Sequence, residues 1–87
     1  MSDTDTRDSI AHWVAHKLFP ENGGVDEDRN ISGNAQAYAR TLAVEINFLA
    51  AQAADTHNLT WKNVTPKDIE PLETVRELIA LIVDHLS

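Results

Sequence analysis

The chain has 87 residues, no cysteine, and 14 acidic against 7 basic side chains, giving a net charge of −7. That length allows one small domain, burying about 60–65% of its unfolded surface, and the missing cysteines exclude disulfides and thiolate metal sites. The acidic excess excludes non-specific nucleic-acid binding, which needs Lys and Arg to displace counterions, and disfavours an anionic membrane surface; a basic patch on a protein partner is the natural target.

The acidic opening MSDTDTRDS has the form of neither a signal nor a transit peptide. Residues 1–6 are expected to be flexible. The first helix is predicted over Arg7–Phe19, capped by Thr6 and stopped by Pro20. Ile10, Trp13, Val14 and Leu18 share one face of it at helical spacing. The stretch PENGGVDEDRNISG, residues 20–33, is a long polar loop whose Val25 and Ile31 are its anchors into the core.

The second and longest helix is predicted over Asn34–Thr56, with Tyr38, Leu42, Ile46, Leu49 and Ala53 as its buried stripe. Alanines at 35, 39, 43, 50 and 54 widen that stripe on one side and let a neighbouring helix approach closely. Val44 and Phe48 fall well off it. After a polar turn, Thr65-Pro66-Lys67-Asp68 gives an N-cap, a proline at the first helical position and an acid at the third. A short helix follows, ended by Pro71. Thr74 and Glu77 form a second capping box. It opens a helix with Val75, Leu78, Ile79, Ile82, Val83 and Leu86 on one broad face and Leu72 leading in. The longest strictly apolar run, Leu78–Val83, is far too short to span a membrane. The expected setting is soluble and cytoplasmic. The predicted fold is all-α: a small four-helix bundle with a long first loop and a short third helix.

That order of elements resembles acyl carrier proteins. The likeness is best over Thr65–Ile82, where TPKDIEPLETVRELIALI is similar to their third helix and their final helix with its Thr-Val start. Leu42-Ala43-Val44-Glu45-Ile46 resembles an Ala-Val-Glu-Leu stretch of their second helix, and Val25-Asp26-Glu27-Asp28 the acidic start of their first loop. About half the chain is covered. In that family a serine in an Asp-Ser-Leu triplet carries 4'-phosphopantetheine. One register places Ala39-Arg40-Thr41 at the triplet, and a register from Pro66 places Ile46-Asn47-Phe48 there; neither offers serine. Ser32, in Ile31-Ser32-Gly33-Asn34, is the nearest candidate for the arm, with Thr41 behind it. It lacks the preceding Asp and the following Leu, so a turn or cap serine is the preferred reading. The resemblance implies a carrier-like domain with no cofactor, and 4'-phosphopantetheine on Ser32 is the alternative.

Other constellations are weaker. Asp8, His12 and His16 form a row one helical turn apart, but two or three ligands on a helix surface seldom hold zinc, and no metal is expected. Asp26, Asp28 and Asn30 resemble the opening of a calcium loop; Ile31 and Ala37 then stand where glycine and glutamate are required. Trp13, Tyr38 and Trp61 are read as core or core rim. No nucleophile elbow, phosphate-cradling glycine loop or carboxylate pair in a cleft is evident, so an enzyme is not expected.

The function expected is that of a non-catalytic carrier-like domain, docking to a biosynthetic enzyme with a basic patch. Val44, Phe48, Asp26 and Asp28 are its partner-binding residues. The alternative is a helical interaction or dimerisation module unrelated to acyl transfer, a homodimer through the Ala-rich second helix.

Overall fold

The computed structural model describes residues 3–87, with side chains from Thr6 onward. Five helices follow one another: α1 (Asp3–Leu18), α2 (Ser32–Ala37), α3 (Ala39–Thr56), α4 (Pro66–Ile69) and α5 (Val75–Asp84). The fold is all-α, with three isolated β-bridges and no strand among the described residues. No helix among them is long and apolar enough to cross a membrane.

Helix α1 begins at Asp3, a turn before the Arg7 start that a Thr6 cap predicts. The 1–6 segment expected to be flexible is therefore helical from Asp3, and Met1 and Ser2 lie outside the described residues. The buried face of α1 is Ile10, Ala11, Val14 and Ala15, while Trp13 is 40% exposed. This corrects the expected stripe. Two alanines let α1 lie close against both α3 and α5, and that rotation turns the bulky indole outward.

The expected second helix is broken in two, which makes five helices of the expected four, and its buried face is rotated in the same way. Its core face is Ala39, Ala43, Ile46, Ala50 and Ala54, with Leu42, Leu49 and Ala53 partly buried and Ala35 buried in α2. Tyr38, placed on the buried stripe by periodicity, is 59% exposed and marks the break, with φ −125° and ψ 29°. The interruption costs little hydrogen bonding, because Tyr38 N–H still donates to Asn34 O and Leu42 N–H to Tyr38 O, both at 2.8 Å. Ala35, Gln36, Ala37, Ala39 and Arg40 around the break are good helix formers, so local propensity does not account for it.

The long loop is laced to the start of α5. Val75 N–H donates to Arg29 O (3.1 Å) and Arg76 N–H to Glu27 O (2.9 Å), which satisfies two donors that a helix N-terminus leaves unpaired. Ile31 N–H donates to Glu73 O at 2.8 Å. Ile31 is buried and Val25 packs against the core, as anchors were expected to do. The Arg29 guanidinium lies 5.3 Å from the Phe19 ring centroid and pairs with Glu21 at 2.8 Å.

Both predicted capping boxes form. In α5, Glu77 N–H donates to Thr74 Oγ1 and Thr74 N–H to the Glu77 carboxylate, at 3.3 and 3.2 Å. Val75, Leu78, Ile79, Ile82 and Leu86 are buried below it, with Val83 half-buried and Leu72 leading in. In α4, the Asp68 carboxylate accepts from Thr65 N–H at 2.8 Å and from Thr65 Oγ1 at 3.1 Å. The backbone bond first, then the hydroxyl, holds the Asp68 carboxyl below its ordinary value of 3.8. Because the folded-state pKa is the lower one, this stabilisation is present above the unfolded value and is lost as pH falls through the folded one. Asp68→Asn is expected to be less stable than the parent at neutral pH. The gap in urea midpoints should narrow as pH falls through the folded-state value, which lies below the ordinary one, because there the parent carboxylate also gains its proton. A gap that stays constant with pH would contradict the capping role.

The C-terminal tail closes the fold by pairing with the linker before α4. Thr60 N–H donates to Ser87 O (2.6 Å), Ser87 N–H to Thr60 O (3.0 Å) and Lys62 N–H to His85 O (2.9 Å). Asn47 holds the same linker from the α3 side. Its Oδ1 accepts from Val64 N–H and Trp61 Nε1, at 2.8 and 3.0 Å, and its Nδ2 donates to Val64 O at 3.0 Å. Trp61 is thus a core-rim residue with its polar edge satisfied.

Candidate functional site

The seam between α1 and α3 carries the clearest surface feature. Large exposed hydrophobic side chains among the described residues are Trp13, Tyr38, Val44 and Phe48, and three of these four border the seam. Val44 is 64% and Phe48 68% exposed, while Ile46 between them is fully buried. The alternation follows from helical geometry. With alanines 43, 50 and 54 turned to the core, residues 44 and 48 stand roughly a third of a turn away from that face.

Two shallow grooves run along the seam. The first, of about 540 Å³, lies between Ile10 and Trp13 of α1 and Gln52, Ala53 and Thr56 of α3, with Thr6, Ser9 and His57 at its edge. The second, of about 450 Å³, is formed by Lys17 and Leu18 facing Val44, Glu45, Phe48 and Leu49. The Lys17 ammonium stands 5.7 Å from the Trp13 ring centroid and links the two along α1. Val44 and Phe48 were identifiable from sequence as off-stripe residues. Trp13, Lys17 and Leu18 were missed as their neighbours, since the rotation of α1 against α3 has no local sequence signal.

The other predicted site residues stand elsewhere. Asp26 and Asp28 share one turn of the long loop, where Asp28 N–H donates to Asp26 Oδ1 at 3.1 Å and the Asp28 carboxylate pairs with Arg76 at 2.8 Å. Neither lines the groove that holds Val44 and Phe48, nor the other groove of the seam. Ser32 is the first residue of α2, directly after the loop, and its hydroxyl donates to Asn30 Oδ1 at 2.7 Å. The same oxygen accepts Ser32 N–H at 3.0 Å. Thr41 is exposed on α3, a turn before Val44 and Glu45. His12 Nδ1 donates to the Asp8 carbonyl at 2.8 Å and lies 3.5 Å from its carboxylate. No group of three or more His, Cys, Asp or Glu side chains is placed to hold a metal among the described residues.

No protein-family model matches the chain, and no curated protein or solved structure is significantly similar to it.

Proposed function

We propose that the chain is a non-catalytic docking domain of carrier-protein-like build, which presents the exposed face of α3 to a biosynthetic enzyme. The observation that carries this reading is the exposure of Val44 and Phe48 beside Leu18 and Leu49, on a helix whose intervening Ile46 is fully buried. Apolar side chains clustered this way on a small acidic domain are worth more to a partner than to the fold. The acids of the long loop, Asp26 and Asp28 among them, add long-range attraction to a basic partner surface. Supporting the carrier-like build are the long loop after α1, the four-residue α4 and the Thr74-capped last helix. The interruption at Tyr38 favours the second reading, a helical interaction module unrelated to acyl transfer, which uses the same face for a different class of partner.

Whether the domain carries an arm is tested by intact-protein mass after incubation with coenzyme A and a promiscuous phosphopantetheinyl transferase. Ser32 sits between Ile31 and Gly33 with its hydroxyl engaged by Asn30, so no mass gain is expected beside a control carrier that is modified. A gain mapped to Ser32 or Thr41 would make the chain an armed carrier and overturn the unarmed reading.

A further inference from the structure

The exposed stripe of α3 is self-complementary. Taken at 100° per residue, Arg40, Val44, Phe48, Ala51 and Asp55 fall within an arc of about 80°. All five are exposed, and neither Arg40 nor Asp55 forms an ion pair among the described residues. The stripe places a cation at one end, an anion at the other some 22 Å along the axis, and apolar side chains between. A two-fold axis crossing α3 between residues 47 and 48 sets each Arg40 against Asp55 of the second copy. It also sets Val44 against Ala51, and brings the two Phe48 rings together at the centre. Ala51 is the small residue that lets the backbones approach where Val44 needs space. A parallel arrangement would juxtapose Arg40 with Arg40 and Asp55 with Asp55.

We infer that α3 pairs antiparallel with α3 of a second copy of this chain, through Val44, Phe48 and Ala51, with Arg40–Asp55 pairs at both ends. This is an isologous contact, in which the residue facing Arg40 on one copy is repeated on the other. The inference stands on the complementarity of the stripe and not on enzyme docking. Where both hold, a partner takes the face by displacing the second copy.

Sedimentation equilibrium from about 10 µM to about 1 mM, the range in which a weak interface shows, tests it. The mass is expected to rise from the 9.7 kDa of the monomer towards twice that value. Arg40→Glu and Asp55→Arg should each weaken association by about tenfold or more, because each creates two like-charge contacts per dimer. An equimolar mixture of the two variants should recover it as a heterodimer, with opposite charges facing at both ends. Phe48→Asp should stay monomeric, with an unchanged helical circular dichroism signal as the folding control. Three results would overturn the proposal: a wild-type mass of 9.7 kDa throughout, a dimer indifferent to both charge reversals, or loss without recovery in the mixture. A monomeric wild type would leave the docking face of Val44 and Phe48 to be judged separately by partner binding.

Discussion

Ile46→Ala is expected to destabilise the domain by about 2–5 kcal/mol, the range for emptying a fully buried isoleucine site. Against a total of about 0.05–0.15 kcal/mol per residue, that is a large fraction of what holds the chain folded. The upper half of the range is favoured by the neighbours. Ala43 and Ala50 flank Ile46 on the buried face of α3, and a methyl group has no rotamer with which to fill the gap. Urea denaturation should show a lower midpoint with an unchanged slope. Val44→Ala, two residues away and exposed, should shift stability by no more than about 0.5 kcal/mol. A loss below about 1 kcal/mol for Ile46→Ala would mean that α3 does not face the core through its alanines.

Phe48→Asp is expected to have the opposite profile: little change in stability and a fall of about 30-fold or more in affinity for the proposed partner. The side chain is 68% exposed in the free protein, so truncating it empties no cavity. In a complex the ring would be the natural anchor of the contact, since aromatic residues dominate the few interface positions worth about 2 kcal/mol or more. An aspartate there adds a buried, unpaired charge to the lost contact. Competition provides the measurement even before the partner is identified. A protein carrying a photoreactive residue at position 44 is crosslinked in cell extract while unlabelled competitor is added. Wild-type competitor should suppress the adduct, and Phe48→Asp should need about 30-fold more. Equal potency would remove Phe48 from the docking surface.

Much of the fold was legible in the sequence where the grammar is local. Thr65 with Asp68 and Thr74 with Glu77 fixed two helix starts, because a cap needs only residues three apart. Ile31 and Val25 were legible as anchors because a polar loop offers few apolar side chains. The face of the long helix was misplaced by one residue. Periodicity gave 38, 42, 46, 49 and 53, and the core takes 39, 43, 46, 50 and 54, with Ile46 common to both. Ranking side chains by size favours Tyr38 and Leu42. Close packing of helices favours alanines, which let the backbones approach, and the larger side chains then close the rim. Trp13, placed on the α1 stripe and read as core or core rim, is 40% exposed at the seam. The break at Tyr38 and the Asn47 clasp on Trp61 and Val64 are tertiary facts, set by contacts that no window of the sequence contains. Of the candidate site, Val44 and Phe48 were legible as residues with no place on the stripe; the groove they share with Leu18 and Lys17 was not.

Photocrosslinking from position 48, against the same probe at position 80, tests most directly whether α3 presents a docking face. Ala80 is exposed on α5 and serves as the control. In cells that express the chain, the probe at 48 is expected to give a discrete adduct with a larger protein. A self-adduct at twice the chain mass would be separate from it, and the probe at 80 should give neither. Adducts of equal yield and identity from both positions, or none from 48 beyond the self-adduct, would contradict the proposed docking function.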